Sequence, residues 1–122
     1  MKILKFLKVL LNIILTTIIV FGVCFVGLFC FGIQPYVVES GSMEPTIKTG
    51  SVSFINKNAK YEDVVVGDII AFEIKDGVYA THRAVSIDKE GITTKGDANS
   101  MEDAVTTTED TFLGKNIFSI PK

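Results

Sequence analysis

Seven serines, one histidine and a small cluster of carboxylates are the residues of this chain that could carry covalent chemistry. The histidine, His82, lies in the stretch YATHRAV. A neutral imidazole takes up a proton near neutral pH, so His82 is the natural candidate for a general base. Among the serines, Ser42 stands apart by context, in ESGSMEPTI from Glu39 to Ile47. Gly41 before it permits close backbone approach, and Pro45 after it fixes the exit of a turn. By composition alone, a Ser/Gly/Pro stretch would pass for a linker. The carboxylates gather in KGDANSMEDA, where Asp97 and Asp103 flank Glu102. Such a segment is ordinarily a solvated turn. Its chemical reading is an acid that orients His82 and stabilises the imidazolium form. Serine, histidine and aspartate together are the parts of nucleophilic acyl transfer, in whatever order the chain supplies them. A lysine base is the alternative, with Lys75 or Lys95 in that role, but both lie in charged, solvent-loving settings. No metal and no cofactor is expected, because there is no second histidine and no ligand spacing of the zinc type.

These residues need elements to hold them. Val9 to Ile33 is a run of 25 residues without a charge. As a helix at ~1.5 Å per residue it would cross a ~30 Å hydrocarbon core with some tilt. It is longer than the apolar stretch of a cleaved signal peptide and ends in no A-x-A-like site, so it reads as an uncleaved anchor. Lys2, Lys5 and Lys8 precede it, and Glu39 and Glu44 follow it. The positive-inside rule puts residues 1–8 in the cytoplasm and residues 34–122 outside. The outer part carries nine basic and fourteen acidic residues. That balance argues against a nucleic-acid partner. Both cysteines, Cys24 and Cys30, fall within the apolar run, so the outer part must fold without disulfides.

Within residues 34–122, Pro35 to Val38 reads as a tether leaving the membrane. SVSFIN alternates polar and apolar residues, the period of a half-buried strand. A strand is expected from about Asp68 to Ile74. Asp76-Gly77 then signals a hairpin in which both turn residues take positive φ. DKEG turns the chain into ITTKG for a second hairpin. No helical period follows Pro35. The expected fold class is mainly β: one N-terminal transmembrane helix, then a small antiparallel domain. Tyr36, Phe54, Phe72, Tyr79, Phe112 and Phe118 are the large core candidates, with Phe118 and Ile120 starting a core strand.

Four boxes in order, SGSMEPTI, GDIIAF, THRAV and TKGDANSMED, resemble those of type I signal peptidases. The likeness is to the branch of archaea, the endoplasmic reticulum and some Gram-positive bacteria, whose base is a histidine rather than a lysine. The resemblance implies a small antiparallel β catalytic domain of signal-peptidase type. It implies Ser42 as nucleophile and His82 as general base. Ser40 and the Ser42 backbone N–H would bind the oxyanion. Asp103 is taken as the partner of His82 and Asp97 as a supporting residue that shapes the loop, with the reverse assignment left open.

The implied activity is removal of N-terminal signal peptides from secreted preproteins by a serine endopeptidase at the outer membrane–water interface. The protein would be a single-pass protein of the cell membrane. Its partners would be signal peptides, the lipid bilayer and the secretion machinery. Ser42 lies nine residues beyond Ile33, so it stands within roughly 30 Å of the end of the span. Relatives usually continue past the equivalent of FSIP, and a strand missing there would leave a frayed edge beside the site. A second reading is therefore a truncated or non-catalytic relative that binds signal peptides as an anchored β module.

Overall fold

The computed structural model describes all 122 residues. They form two compact units, Met1–Phe31 and Gly32–Lys122. The first is a single helix, α1 (Lys2–Cys30), with no buried residue and an apolar run on every side beyond its lysines. By length and composition it could cross a membrane, as expected of a helix with no polar face. Thr17 returns its hydroxyl to the Ile13 carbonyl at 2.8 Å, so its polar atom is satisfied within the helix. α1 begins seven residues before the apolar run, because lysine is a good helix former and the backbone ladder does not stop at a charge. It ends before Ile33: the Phe31 N–H closes on Gly27 O at 3.1 Å, and Gly32 takes φ +80°. A glycine in the left-handed region is the usual helix stop.

The second unit is one antiparallel sheet of six strands: β1 (Ile33–Val37), β2 (Val52–Asn56), β3 (Ile69–Lys75), β4 (Val78–Asp88), β5 (Gly91–Lys95) and β6 (Phe112–Ile120). Their spatial order is β1-β2-β6-β3-β4-β5. The segment expected to be a tether is β1, paired with β2 from Ile33↔Asn56 to Val37↔Val52. Pro35 hides this strand from a sequence reading. It is tolerated because β1 is an edge, where a missing N–H costs no ladder bond. The β3–β4 hairpin turns at Asp76-Gly77 as expected, but only Gly77 has positive φ (+76°). An irregularity between Glu73 and Lys75 adjusts the register instead.

β6 lies inside the sheet between β2 and β3, so the edges are β1 and β5 rather than the last strand. Its end is not core. Phe118 and Ile120 are half exposed, and Phe118 stacks on Phe54 with ring centroids 4.5 Å apart. Of the six expected core aromatics only Phe72 is buried, and Phe112 packs beside it; Tyr79 is half exposed. The core cluster is small and mostly aliphatic: Val64, Ile70, Phe72, Ala84 and Ile92, flanked by Tyr61, Ala80 and Phe112. A domain of this size has too little interior to enclose six large rings.

Candidate active site

Ser42 stands in a turn that the buried side chains of Met43 and Ile47 plug into the domain. The turn is closed by the Ile47 N–H on Met43 O at 2.9 Å and the Glu44 N–H on Gly41 O at 3.1 Å. The base of the loop is pinned by Val38 N–H to Ser51 O and Gly50 N–H to Val38 O. The segment is thus a built turn and not a linker.

His82 comes from the middle of β4, opposite Ile70 of β3. Its ring meets Phe72 edge-on, centroids 5.9 Å apart, which limits its rotation. His82 Nε2 lies 3.0 Å from Ser42 Oγ, and Nδ1 lies 2.6 Å from Asp103 Oδ2. A carboxylate only accepts, so Nδ1 carries the proton and Nε2 presents its lone pair to the serine hydroxyl. Ser40 Oγ lies 3.1 Å from Ser42 Oγ. With Ser42 donating to His82, the remaining bond is Ser40 donating to Ser42. The line Ser40–Ser42–His82–Asp103 is a continuous hydrogen-bonded chain.

The two aspartates are taken by adjacent residues of one strand. Side chains alternate across a strand, so His82 and Arg83 face opposite ways. Arg83 donates from Nε to Asp97 Oδ1 at 2.9 Å and from its terminal nitrogen to Oδ2 at 2.8 Å. Its other terminal nitrogen reaches Gly67 O at 2.8 Å, and Thr46 Oγ1 adds a 2.6 Å bond to Asp97 Oδ2. The Arg83 hydrogen bonds hold the Asp97 carboxyl down to about 2 against the upward push of burial, helped by Thr46 and by the charges of Arg83 and Lys95. Arg83 in turn is raised, chiefly by its hydrogen bond to Asp97. Asp97 therefore ties β4 to the serine turn and does not touch His82.

Gly96 lets this loop sit against Ser42. A Cβ there would lie 2.5 Å from Ser42 O, which the Ala98 N–H instead reaches at 2.9 Å. The Asp97 N–H rests on Met43 Sδ at 3.4 Å. Thr94 Oγ1 bonds Asp103 Oδ2 at 2.6 Å. Arg83, Thr46, Thr94 and Gly96 all lie in or beside boxes noted in the sequence, but nothing local assigns them roles. The one available signal was charge: an arginine next to the histidine is a ready partner for the spare aspartate. Neither Lys75 nor Lys95 hydrogen-bonds Ser42; Lys75 is exposed at the hairpin, and Lys95 acts on Asp97. No cluster of three or more His, Cys, Asp or Glu residues could hold a metal.

A groove of about 640 Å³ passes the serine. Val38 and Ser40 of the serine loop and Tyr79, Thr81 and His82 of β4 are among its lining. β4 pairs with β3 from Val78 to Arg83 but with β5 only from Arg83 onward. The second edge of Val78–His82 is consequently unpaired where it borders the groove.

The profile of the family described as signal peptidase, peptidase S26, matches residues 9–117. The chain is 34% identical to signal peptidase I W of Bacillus subtilis, over 80% of this chain and 57% of that protein. It is 37% identical to the signal peptidase complex catalytic subunits of Clavispora lusitaniae and Scheffersomyces stipitis, over 55% of this chain and 42% of each of theirs. The chain thus spans about half the length of the relatives it matches, or somewhat less.

Proposed function

The chain belongs to the signal peptidase family, peptidase S26, and we propose on that footing that it is a membrane-anchored serine endopeptidase removing signal peptides from secreted preproteins. The observation that carries the reading is the hydrogen-bonded line from Ser42 Oγ through His82 to Asp103, with links of 3.0 and 2.6 Å. Ser42 attacks the scissile carbonyl carbon while its proton passes to His82 Nε2. The imidazolium so formed is stabilised through Nδ1–H by the Asp103 carboxylate. The negative oxygen of the tetrahedral intermediate is met by the Ser42 backbone N–H and by the Ser40 hydroxyl, which turns from Ser42 Oγ toward the oxyanion. His82 Nε2–H then protonates the leaving amine. A water deprotonated by the same nitrogen releases the acyl group from Ser42. Asp97 shapes the loop and exchanges no proton.

The substrate lies extended in the groove and pairs with the open edge of Val78–His82. Main-chain bonds of this kind give affinity, and pockets for alternate side chains give selectivity. α1 anchors the protein in the cell membrane, with Lys2, Lys5 and Lys8 on the cytoplasmic side and Gly32–Lys122 on the outer side. There the β domain meets preproteins handed over by the secretion machinery. An anchored enzyme and an anchored substrate share one plane, which shortens the search. The test is to reconstitute the full chain with a preprotein in liposomes and to sequence the N-terminus of the product. Cleavage just beyond the apolar segment supports the peptidase. Binding of signal peptides by a folded chain that never cuts them supports a non-catalytic module instead.

A further inference from the structure

Thr94 is a fully buried hydroxyl with apolar neighbours on its strand and across from it. It lies on β5 opposite Ala84 of β4, and Ala84 and Ile92 beside it are as fully buried as Thr94 itself. A valine would suit such a position in a strand better, and burying a hydroxyl costs stability unless it is bonded. Its partner is specific. Thr94 Oγ1 donates to Asp103 Oδ2 at 2.6 Å, the same oxygen that receives His82 Nδ1–H at 2.6 Å. The main chain makes a second link, from the Asp103 N–H to Thr94 O at 2.8 Å. Residues 82 and 84 share a face of β4, so β5 places the Thr94 hydroxyl on the same side as the imidazole.

We infer that Thr94 is a positioning residue for the Ser42–His82–Asp103 line: its hydroxyl aims the Asp103 carboxylate at His82. The inference rests on the peptidase reading. Thr94 lines no part of the groove that holds Ser42, so it acts on turnover and not on substrate binding. With Thr94 removed, the carboxylate is free to turn away from Nδ1–H, the imidazolium loses part of its stabilisation, and His82 gives up its proton at lower pH. Besides Asp103, the charged residues lining the two cavities that His82 also lines are Glu39 and Glu73. Both are unchanged by the substitution. Arg83 and Asp97 pair with each other on the opposite face.

The experiment compares full-length wild type, Thr94→Val, Thr94→Ser and Thr94→Ala in detergent micelles. Because His82 is the only histidine, histidine-selective isotope labelling gives one imidazole to titrate by NMR. Thr94→Val is expected to lower kcat roughly ten- to a hundredfold with KM unchanged. It should also move the His82 titration downward and weaken the downfield Nδ1–H resonance. Thr94→Ser should restore both. Wild-type kcat and titration in Thr94→Val would overturn the assignment. If the valine variant fails to fold, serine and alanine decide the matter: identical behaviour of the two overturns it. Should the wild-type chain not cleave, the peptidase reading falls, but the titration still tests Thr94. An unmoved His82 midpoint in Thr94→Val would then overturn its role as well.

Discussion

At the scale of single residues, one histidine links one serine to one of two nearby aspartates, with contacts of 3.0 and 2.6 Å. Ser42 and His82 are marked by a rigid turn and by the uniqueness of the histidine, both local properties. Which aspartate joins them is not local. Asp97 and Asp103 are six residues apart in one turn-rich segment, and only the alternation of β4 separates them, His82 meeting Asp103 and Arg83 meeting Asp97. If the line Ser42–His82–Asp103 does the work, His82→Ala should reduce kcat/KM by roughly 10³-fold or more in a preprotein cleavage assay. Ser40→Ala, which removes one oxyanion donor and spares the rest, should cost roughly 10²-fold, mostly in kcat.

Acid separates the two aspartates further. His82 must be neutral to accept the Ser42 proton, so activity falls as pH is lowered and the imidazole becomes protonated. Asp97 is held down to about 2, below the ~3.9 of an unfolded aspartate. Its contribution to stability is full above the unfolded value and is lost only as pH falls toward the folded one. Between about pH 4 and 6, therefore, cleavage should fade while the far-UV circular dichroism and the melting midpoint hold. Parallel loss of both would contradict this separation.

At the scale of elements, strands that carry a period-2 pattern or a clear turn were legible, and those that carry neither were not. The β3–β4 and β4–β5 hairpins follow from Asp76-Gly77 and from the turn before Gly91. β1 was missed because Pro35 and its position after the apolar run disguise a strand whose pairing with β2 is fixed from elsewhere in the chain. The central place of β6 was illegible for the same reason, since strand order is a long-range property. The loop from Gly96 to Asp103 is the element on which the site depends most. It is held by Arg83, Thr46 and Met43, and it holds Ser42 through the Ala98 N–H. Two consequences follow. Gly96→Ala would put a methyl 2.5 Å from Ser42 O; the backbone must shift, and kcat should fall at least roughly tenfold, because misplacement of a reacting group by about 1 Å costs up to ~10²-fold. Asp97→Ala leaves Arg83 and Thr46 without their acceptor. It should lower stability by about 1–3 kcal/mol, read as a shift of the denaturation midpoint.

At the scale of the whole molecule, an apolar helix precedes an acidic β domain, and the proposed function gives anchoring to the first and chemistry to the second. Length and composition sufficed to read α1 as a helix that could cross a membrane, because it is long and has no polar face. The small, mostly aliphatic core was not foreseen, because aromatic residues signal burial only when the domain is large enough to enclose them; here Phe54 and Phe118 stack on each other at the surface instead. If α1 is the anchor, the full chain should stay with membranes after an alkaline wash, and protease added on the outer side should digest Gly32–Lys122 but spare the helix. Release by the wash would contradict the anchoring. The most direct test of the whole account is the ratio of first-order cleavage rates for wild type and Ser42→Ala, both folded in liposomes with a preprotein. The account predicts that wild type cuts beyond the apolar segment and that Ser42→Ala is slower by roughly 10³-fold or more. Cleavage by Ser42→Ala at the wild-type rate would contradict it.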